Sequence, residues 1–329
     1  MNRPVALALR ALGLGDFVTG VPALNLLRRA LPGHRLMLAA PARLAPLVTL
    51  VPAVDGLLPH GELEALTGVR GPIEVAVDLH GKGWRSRQLL LDLHPCRVVG
   101  FADPSAGLPG PEWRRDEHEV ARWLRLIVEG FRVSGNASGP DAASAPAGSK
   151  LAGSMLAGSM LAGSMARPAV PTPAGLTVIH PGAAAAARRW PVERFATVAR
   201  SLISRGHRVV LTGTRAEAEL VGRVSAGSGA PPLLDLPLLD LTATIAGARL
   251  LICGDTGVAH LASAYRVPSV VLFGPVSPRE WGPPPDPRHQ VLWHGDGTGD
   301  PHAGVIDPAL LEISIPEVLA AVERIGGSG

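Results

Sequence analysis

The chain has 329 residues, of which 47% are hydrophobic and 18% charged, with a formal charge of +3. That composition fits two globular α/β domains of ordinary size and argues against a disordered chain. The small net charge and the 4% share of aromatic residues argue against nucleic-acid recognition.

The elements follow in chain order. Residues 5–9 form an apolar strand, and a helix is expected over 17–31, with Val18, Val21, Leu24, Leu27 and Leu31 on one face and Pro22 near its first turn. A strand over 35–39, a helix over 42–50, an extended piece over 54–58, a buried strand over 73–78 and a helix over 117–131 complete the first half. Residues 134–175 break the alternation. They are rich in Ser, Gly, Ala and Pro and carry Leu-Ala-Gly-Ser-Met three times between Leu151 and Met165. A five-residue period matches neither helix nor strand, so a flexible linker produced by local duplication is expected. Strands then recur over 177–180, 207–212, 233–235, 250–253 and 269–273. Helices fall between them over 192–205, 216–226, 238–248 and 260–265, and an amphipathic helix over 315–325 closes the chain.

Strands alternating with helices predict parallel sheets covered on both faces. The domains expected are 1–133, a linker over 134–175, 176–312, and a C-terminal segment 313–329 that could pack back toward the N-terminal domain. Cys96 and Cys253 read as two buried thiols rather than a disulfide or metal site. Arg10 and Asp16 interrupt the first apolar run, so no signal peptide is expected, and no run approaches the roughly 18 residues of a membrane span. A cytoplasmic location follows by default, and peripheral membrane contact stays open.

Two strand-to-helix joints carry the chemistry. Gly13-Leu-Gly-Asp16 ends the first strand, but Val18 stands where a dinucleotide fingerprint needs its third glycine, which argues against hydride transfer. Asp16 there can be a helix cap or a catalytic acid. Cys253-Gly-Asp-Thr-Gly-Val-Ala-His260 is the second joint, where free N–H groups and the helix dipole would favour a phosphate.

The N-terminal stretch Gly15-Asp-Phe-Val-Thr-Gly-Val-Pro-Ala-Leu24, with Arg28-Arg-Ala-Leu-Pro-Gly33, resembles glycosyltransferase family 9, the family of the lipopolysaccharide heptosyltransferases. Three further segments agree: His180-Pro-Gly182 with Arg188-Arg-Trp-Pro191, Leu211-Thr-Gly-Thr-Arg-Ala-Glu217, and Gly254-Asp-Thr-Gly-Val-Ala-His260 leading to Val271-Leu-Phe-Gly274. The resemblance implies a GT-B architecture, two Rossmann-like doubly wound domains facing a central cleft. The C-terminal domain would bind the donor and the N-terminal one the acceptor. The chain departs from the family pattern at Asp240-Leu-Thr-Ala243, where Gly usually ends the segment.

The resemblance implies an inverting transfer of a sugar, plausibly heptose, from a nucleotide diphosphate donor, ADP-linked by expectation, to an acceptor hydroxyl. Asp16 would be the general base and Arg188 the cation on the leaving diphosphate, with Arg189 competing for that role. Gly15, His180, Gly182, Glu217, Asp255, Thr256, Gly257 and His260 join Arg189 as expected donor-binding residues, with Glu219 a decoy for Glu217. Lys82, Arg85 and Arg87 could hold an acidic or phosphorylated acceptor, or form a solvated basic loop; the acceptor expected is of sugar or glycolipid type. His118 and Arg122 share a helix face, for which packing is the simpler reading. No metal-ligand cluster is evident, so a metal-independent, cofactor-free monomer is expected. The rival readings are a nucleotide-sugar-binding protein without transfer activity and a tailoring glycosyltransferase acting on a small metabolite with another donor.

Overall fold

The computed structural model describes residues 3–69, 71–133 and 160–326. It divides into two compact units, Met1–Ala166 and Arg167–Gly329.

The first unit holds β1 (Val5–Leu9), α1 (Leu14–Ala30), β2 (Arg35–Ala40), α2 (Ala45–Val48), β3 (Gly56–Pro59), β4 (Ile73–Asp78), α3 (Trp84–Leu91), β5 (Arg97–Val99) and α4 (Glu119–Val133). Its sheet is parallel, in the order β3-β2-β1-β4-β5. β1 is central and buried along its whole length, which explains its unbroken apolar sequence: a strand covered on both faces has no solvent side to alternate with. On one face Leu7, Leu9, Ile73 and Leu90 form a core cluster. α1 packs against α4, and Trp123, Leu126 and Ile127 of α4 are fully buried.

The second unit holds β6 (Thr177–His180), α5 (Val192–Ser204), β7 (Val209–Gly213), α6 (Ala218–Ser228), β8 (Pro232–Leu234), α7 (Leu238–Ala246), β9 (Leu250–Gly254), α8 (Gly257–Tyr265), β10 (Ser269–Leu272), α9 (Pro278–Trp281), β11 (His289–Leu292), α10 (Pro308–Glu312) and α11 (Ile315–Gly326). Its parallel sheet runs β11-β10-β9-β6-β7-β8. Ile179, Trp190, Phe195, Leu211, Ile252 and Leu272 lie in its core.

Both sheets reverse direction at the first strand of their unit. In the first, the chain moves outward from β1 to β3 and then restarts at β4 on the other side. In the second it moves from β6 to β8 and restarts at β9. Such switch points open a crevice at the carboxyl ends of the two diverging strands, where α/β proteins bind ligands.

Several expectations change. α1 begins at Leu14, three residues before the expected start, with Gly13 as its N-cap, so Asp16 is the third residue of the helix rather than its cap. α8 likewise begins at Gly257, not His260. The basic segment after β4, for which no helix is expected from the sequence, winds into α3. Cys96 is exposed, whereas Cys253 is buried as expected. The apolar face of α11 packs inside the second unit, where Val318, Ala321 and Val322 join the core.

Residues 134–159 of the expected linker, including the first two Leu-Ala-Gly-Ser-Met copies except Met160, lie outside the described residues. The third copy is not loose. Leu161 and Met165 are buried in the first unit, Asn25 donates to the Ser164 carbonyl at 3.0 Å, and the Ala166 N–H donates to the Leu50 carbonyl at 2.7 Å. Gly163 takes a left-handed backbone, φ +76°, so the glycine of the repeat supplies the turn that lets both apolar side chains face inward.

Candidate active site

In the first unit the site grows from the β1–α1 joint. Asp16 Oδ2 accepts from the Gly13 N–H at 3.2 Å, reaching back over the first turn in the manner of a capping box. Its Oδ1 lies 3.7 Å from Arg10 Nη2, and the Asp16 side chain is 29% exposed while that of Arg10 is 1% exposed. Burial raises the Asp16 carboxyl above its ordinary value of 3.8; Arg10 pulls it down and Glu119 pushes it up. A recess lined by Ala11, Leu12, Gly13, Pro41, Arg43 and Glu62 adjoins the joint, at the carboxyl ends of β1, β2 and β3.

Across the switch point, β4 ends in Asp78, buried and accepting from the His80 N–H at 3.0 Å and from Ser86 Oγ at 2.9 Å. Burial raises its carboxyl, against the pull of these donors and of Arg87. The three basic residues of this loop separate. Lys82 and Arg85 are exposed, beside Trp84, which is 55% exposed. Arg87 is buried: its Nη2 donates to the Phe101 carbonyl at 2.5 Å, and its Nε sits 3.7 Å from Asp78. A guanidinium so committed ties α3 to the β5 loop, and Arg87 is withdrawn from the acceptor set. His118 and Arg122 are structural as well. His118 Nδ1 accepts from the Val120 N–H at 3.2 Å, while Arg122 pairs with Glu119 and stacks over Trp113 at 4.4 Å.

In the second unit, the loops after β6, β7 and β9 converge. Gly254 ends β9 so close to the loop after β6 that a Cβ there would stand 2.8 Å from the Arg188 carbonyl. Arg188 Nη1 reaches Asp255 Oδ2 at 3.4 Å, with the Arg188 side chain 22% exposed and that of Asp255 8%. Burial raises the Asp255 carboxyl and Arg188 offsets part of that rise. Thr256 is the N-cap of α8, in extended backbone, and its side chain makes no capping hydrogen bond. The first N–H groups of this nine-residue helix, from Gly257 onward, therefore lack the usual side-chain acceptor beside a partly exposed guanidinium.

Arg189 is directed elsewhere: its Nε donates to the Ala183 carbonyl at 2.8 Å, bracing the loop. Trp190 is buried, donates to the Ile313 carbonyl at 3.1 Å and meets Phe195 edge-on at 5.0 Å. His180 is buried and shares a 3.0 Å hydrogen bond with Thr212 Oγ1. Burial lowers its pKa, opposed by Glu217, so it is neutral at pH 7. Glu217 Oε2 accepts from Thr214 N and Oγ1, both at 2.9 Å. Gly182 leaves room for the same carboxylate, which a Cβ would overlap. Glu217, not Glu219, therefore belongs to the convergence. His260 is buried on α8 with its ring 6.0 Å from that of Trp281. Gly15 lies in the first turn of α1, in the other unit, apart in the chain from the remaining donor candidates.

The residues that sequence reasoning missed are Arg10 and Glu119. Arg10 was visible only as a charge ending an apolar strand, which is itself the signal: a cation that a central strand carries into the interior needs a buried partner.

The family model for glycosyltransferase family 9 (heptosyltransferase) matches residues 111–299. Lipopolysaccharide heptosyltransferase 1 of Pseudomonas aeruginosa is 40% identical over 93 residues, 28% of this chain and 26% of that protein. The matched stretches span less than half the length of the curated relatives. Among solved structures, E. coli ADP-heptose lps heptosyltransferase II is similar with a TM-score of 0.72 at 18% identity, over 99% of this chain and 100% of that one. E. coli heptosyltransferase WaaC with ADP-2-deoxy-2-fluoro heptose is similar with a TM-score of 0.69 at 19% identity, over 97% and 99%. Such likeness establishes the two-domain GT-B fold, and with a family match over more than half its residues the chain belongs to glycosyltransferase family 9.

Proposed function

We propose that the protein transfers heptose from ADP-heptose to a hydroxyl of a sugar or glycolipid acceptor, with inversion at the anomeric carbon. The observation that carries this reading is the anion cradle of the second unit. Arg188, partly exposed and braced by Asp255, stands beside an α8 N-terminus whose first N–H groups have no capping side-chain acceptor. Family membership and the ADP-heptose named for solved relatives support heptose and adenine as the donor's parts.

Asp16 acts as general base. Its carboxylate removes the proton of the acceptor hydroxyl as that oxygen bonds to the anomeric carbon, and the bond from that carbon to the diphosphate oxygen breaks with its electron pair. ADP leaves with negative charge that Arg188 and the α8 N–H groups stabilise. Glu217 accepts from ribose hydroxyls through the oxygen not engaged by Thr214. Lys82 and Arg85 steer an anionic acceptor, and the basic, indole-flanked loop suits a glycolipid. Charge stabilisation from these groups makes the reaction independent of a metal ion and of a cofactor, and the protein acts as a monomer in the cytoplasm.

The test is ADP release from ADP-heptose, with and without a heptose-deficient lipopolysaccharide acceptor, in buffer containing a chelator. Acceptor-dependent release that survives chelation and gives the inverted anomer by NMR supports the reading. Binding of ADP-heptose without release would instead favour a nucleotide-sugar-binding protein. A larger thermal shift with UDP-, GDP- or dTDP-sugars than with ADP-sugars would remove the adenine assignment.

A further inference from the structure

Arg10 is one of several buried ions with no part in the transfer step. It enters the interior from the carboxyl end of β1, and each of its three nitrogens has a protein acceptor. Nε bonds the Asp16 carbonyl, and Nη1 the Leu79 carbonyl at 2.5 Å. Nη2 reaches Thr19 Oγ1 at 3.2 Å and Glu119 Oε1 at 3.1 Å, and the guanidinium stacks on Trp123 at 4.7 Å. The Nη2 that serves Glu119 is also the group 3.7 Å from Asp16 Oδ1. Gly20 of α1 makes the passage possible, since a Cβ there would lie 2.6 Å from Arg10 Cδ. Glu119 is equally committed, to Arg10, to Arg122 and to the Trp123 indole N–H at 2.6 Å.

Among the described residues, the charged groups acting on Asp16 are Arg10 from β1 and Glu119 from α4. Arg122 acts on Glu119, and His80, from the loop after β4, faces Arg10. A carboxylate held alone by a buried arginine is a poor proton acceptor, because the cation stabilises its charged form. A second carboxylate on the same guanidinium weakens that hold.

We propose that Arg10 and Glu119 are positioning residues for the base. Arg10 fixes the place of the Asp16 carboxylate, and Glu119, by sharing that guanidinium, keeps Asp16 basic enough to take a proton. The proposal rests on the reading of Asp16 as general base. It names a pair whose two members act on one proton affinity in opposite directions, and the positioning role is read in the rate, whose acid limb should move with that affinity.

The affinity is read on the full-length protein, labelled with carboxyl-13C aspartate and titrated by NMR, the Asp16 resonance being identified by its loss in Asp16→Asn. Glu119→Gln is expected to lower the Asp16 midpoint by about one pH unit, and Arg10→Gln to raise it by about as much. The conservative variants Glu119→Asp and Arg10→Lys keep every buried charge partnered. They are expected to shift the midpoint in the same two directions by less, and they stand in where a neutral variant does not fold. The acid limb of the rate against pH should follow each midpoint. Midpoints that stay put, or that move the same way in both members of the pair, overturn the proposal. The base reading itself fails by a different result, full ADP release by Asp16→Asn, whatever the midpoints do.

Discussion

Two arginine–aspartate pairs stand at corresponding places, one at the switch point of each sheet, and they are built differently. Arg10 is 1% exposed, with a protein acceptor on each nitrogen; Arg188 is 22% exposed, with Asp255 as its carboxylate. In the first pair the aspartate is the open member; in the second it is the arginine. The same two residue types thus give a carboxylate ready to meet a proton and a cation ready to meet an anion. What distinguishes them is which partner the surrounding backbone has consumed.

The largest expected effect tests the open carboxylate. Asp16→Asn should reduce turnover by roughly 10²–10⁴-fold, the usual range for losing a general base, with donor affinity by calorimetry nearly unchanged. The same variant should melt higher at pH 7. Burial raises the folded-state value of Asp16 above 3.8, so wild type loses stability as pH rises through that value. Below 3.8 both states hold the proton, and the difference in Tm should vanish. A lower Tm at pH 7 would mean that Arg10 outweighs desolvation there. Next comes the open cation: Arg188→Gln should cost roughly 10²-fold in turnover and weaken ADP binding, whereas Arg189→Gln should mainly loosen the Ala183 loop. Equal losses in the two would erase the contrast drawn between them.

Gly20→Ala sharpens the closed side of the first pair. Alanine is the better helix former by about 1 kcal/mol, so an ordinary helix glycine would gain stability from the change. Here the methyl meets Arg10, and a loss of about 1–3 kcal/mol in urea unfolding is expected instead. The smallest effect lies away from both sites. Glu317 accepts from Ser314 N and Oγ at 2.7 and 2.6 Å as α11 begins, and its pKa falls to about 2, led by the Ser314 hydroxyl. Glu317→Gln should cost about 0.5–1 kcal/mol at pH 7. That contribution is present above 4.5 and fades as pH falls toward 2.

Sheets and helices were legible because β1 and β9 carry unbroken apolar runs, and because each glycine-bearing joint announces a change of period. Their starts were less so. Asp16 reads as a cap when Gly13 is taken for part of the turn, and only the backbone places the cap three residues earlier. Arg87 and Lys82 look alike in sequence, yet one is interior and one is not, because the helical winding of α3 turns Arg87 toward Phe101. The Arg10–Glu119 contact joins residues 109 positions apart, a separation that no local pattern reveals.

The docked Leu-Ala-Gly-Ser-Met segment carries an evolutionary consequence. Asn25 holds Ser164 within it and Leu50 holds Ala166 just after it, and the sequence spells out the same five residues twice more immediately upstream. Replication slippage that adds or deletes a whole unit would leave the same letters in the same berth. Copy number can therefore drift between strains as a neutral character, while an insertion or deletion of one or two codons inside the last unit would unseat Leu161 and Met165 and be purged.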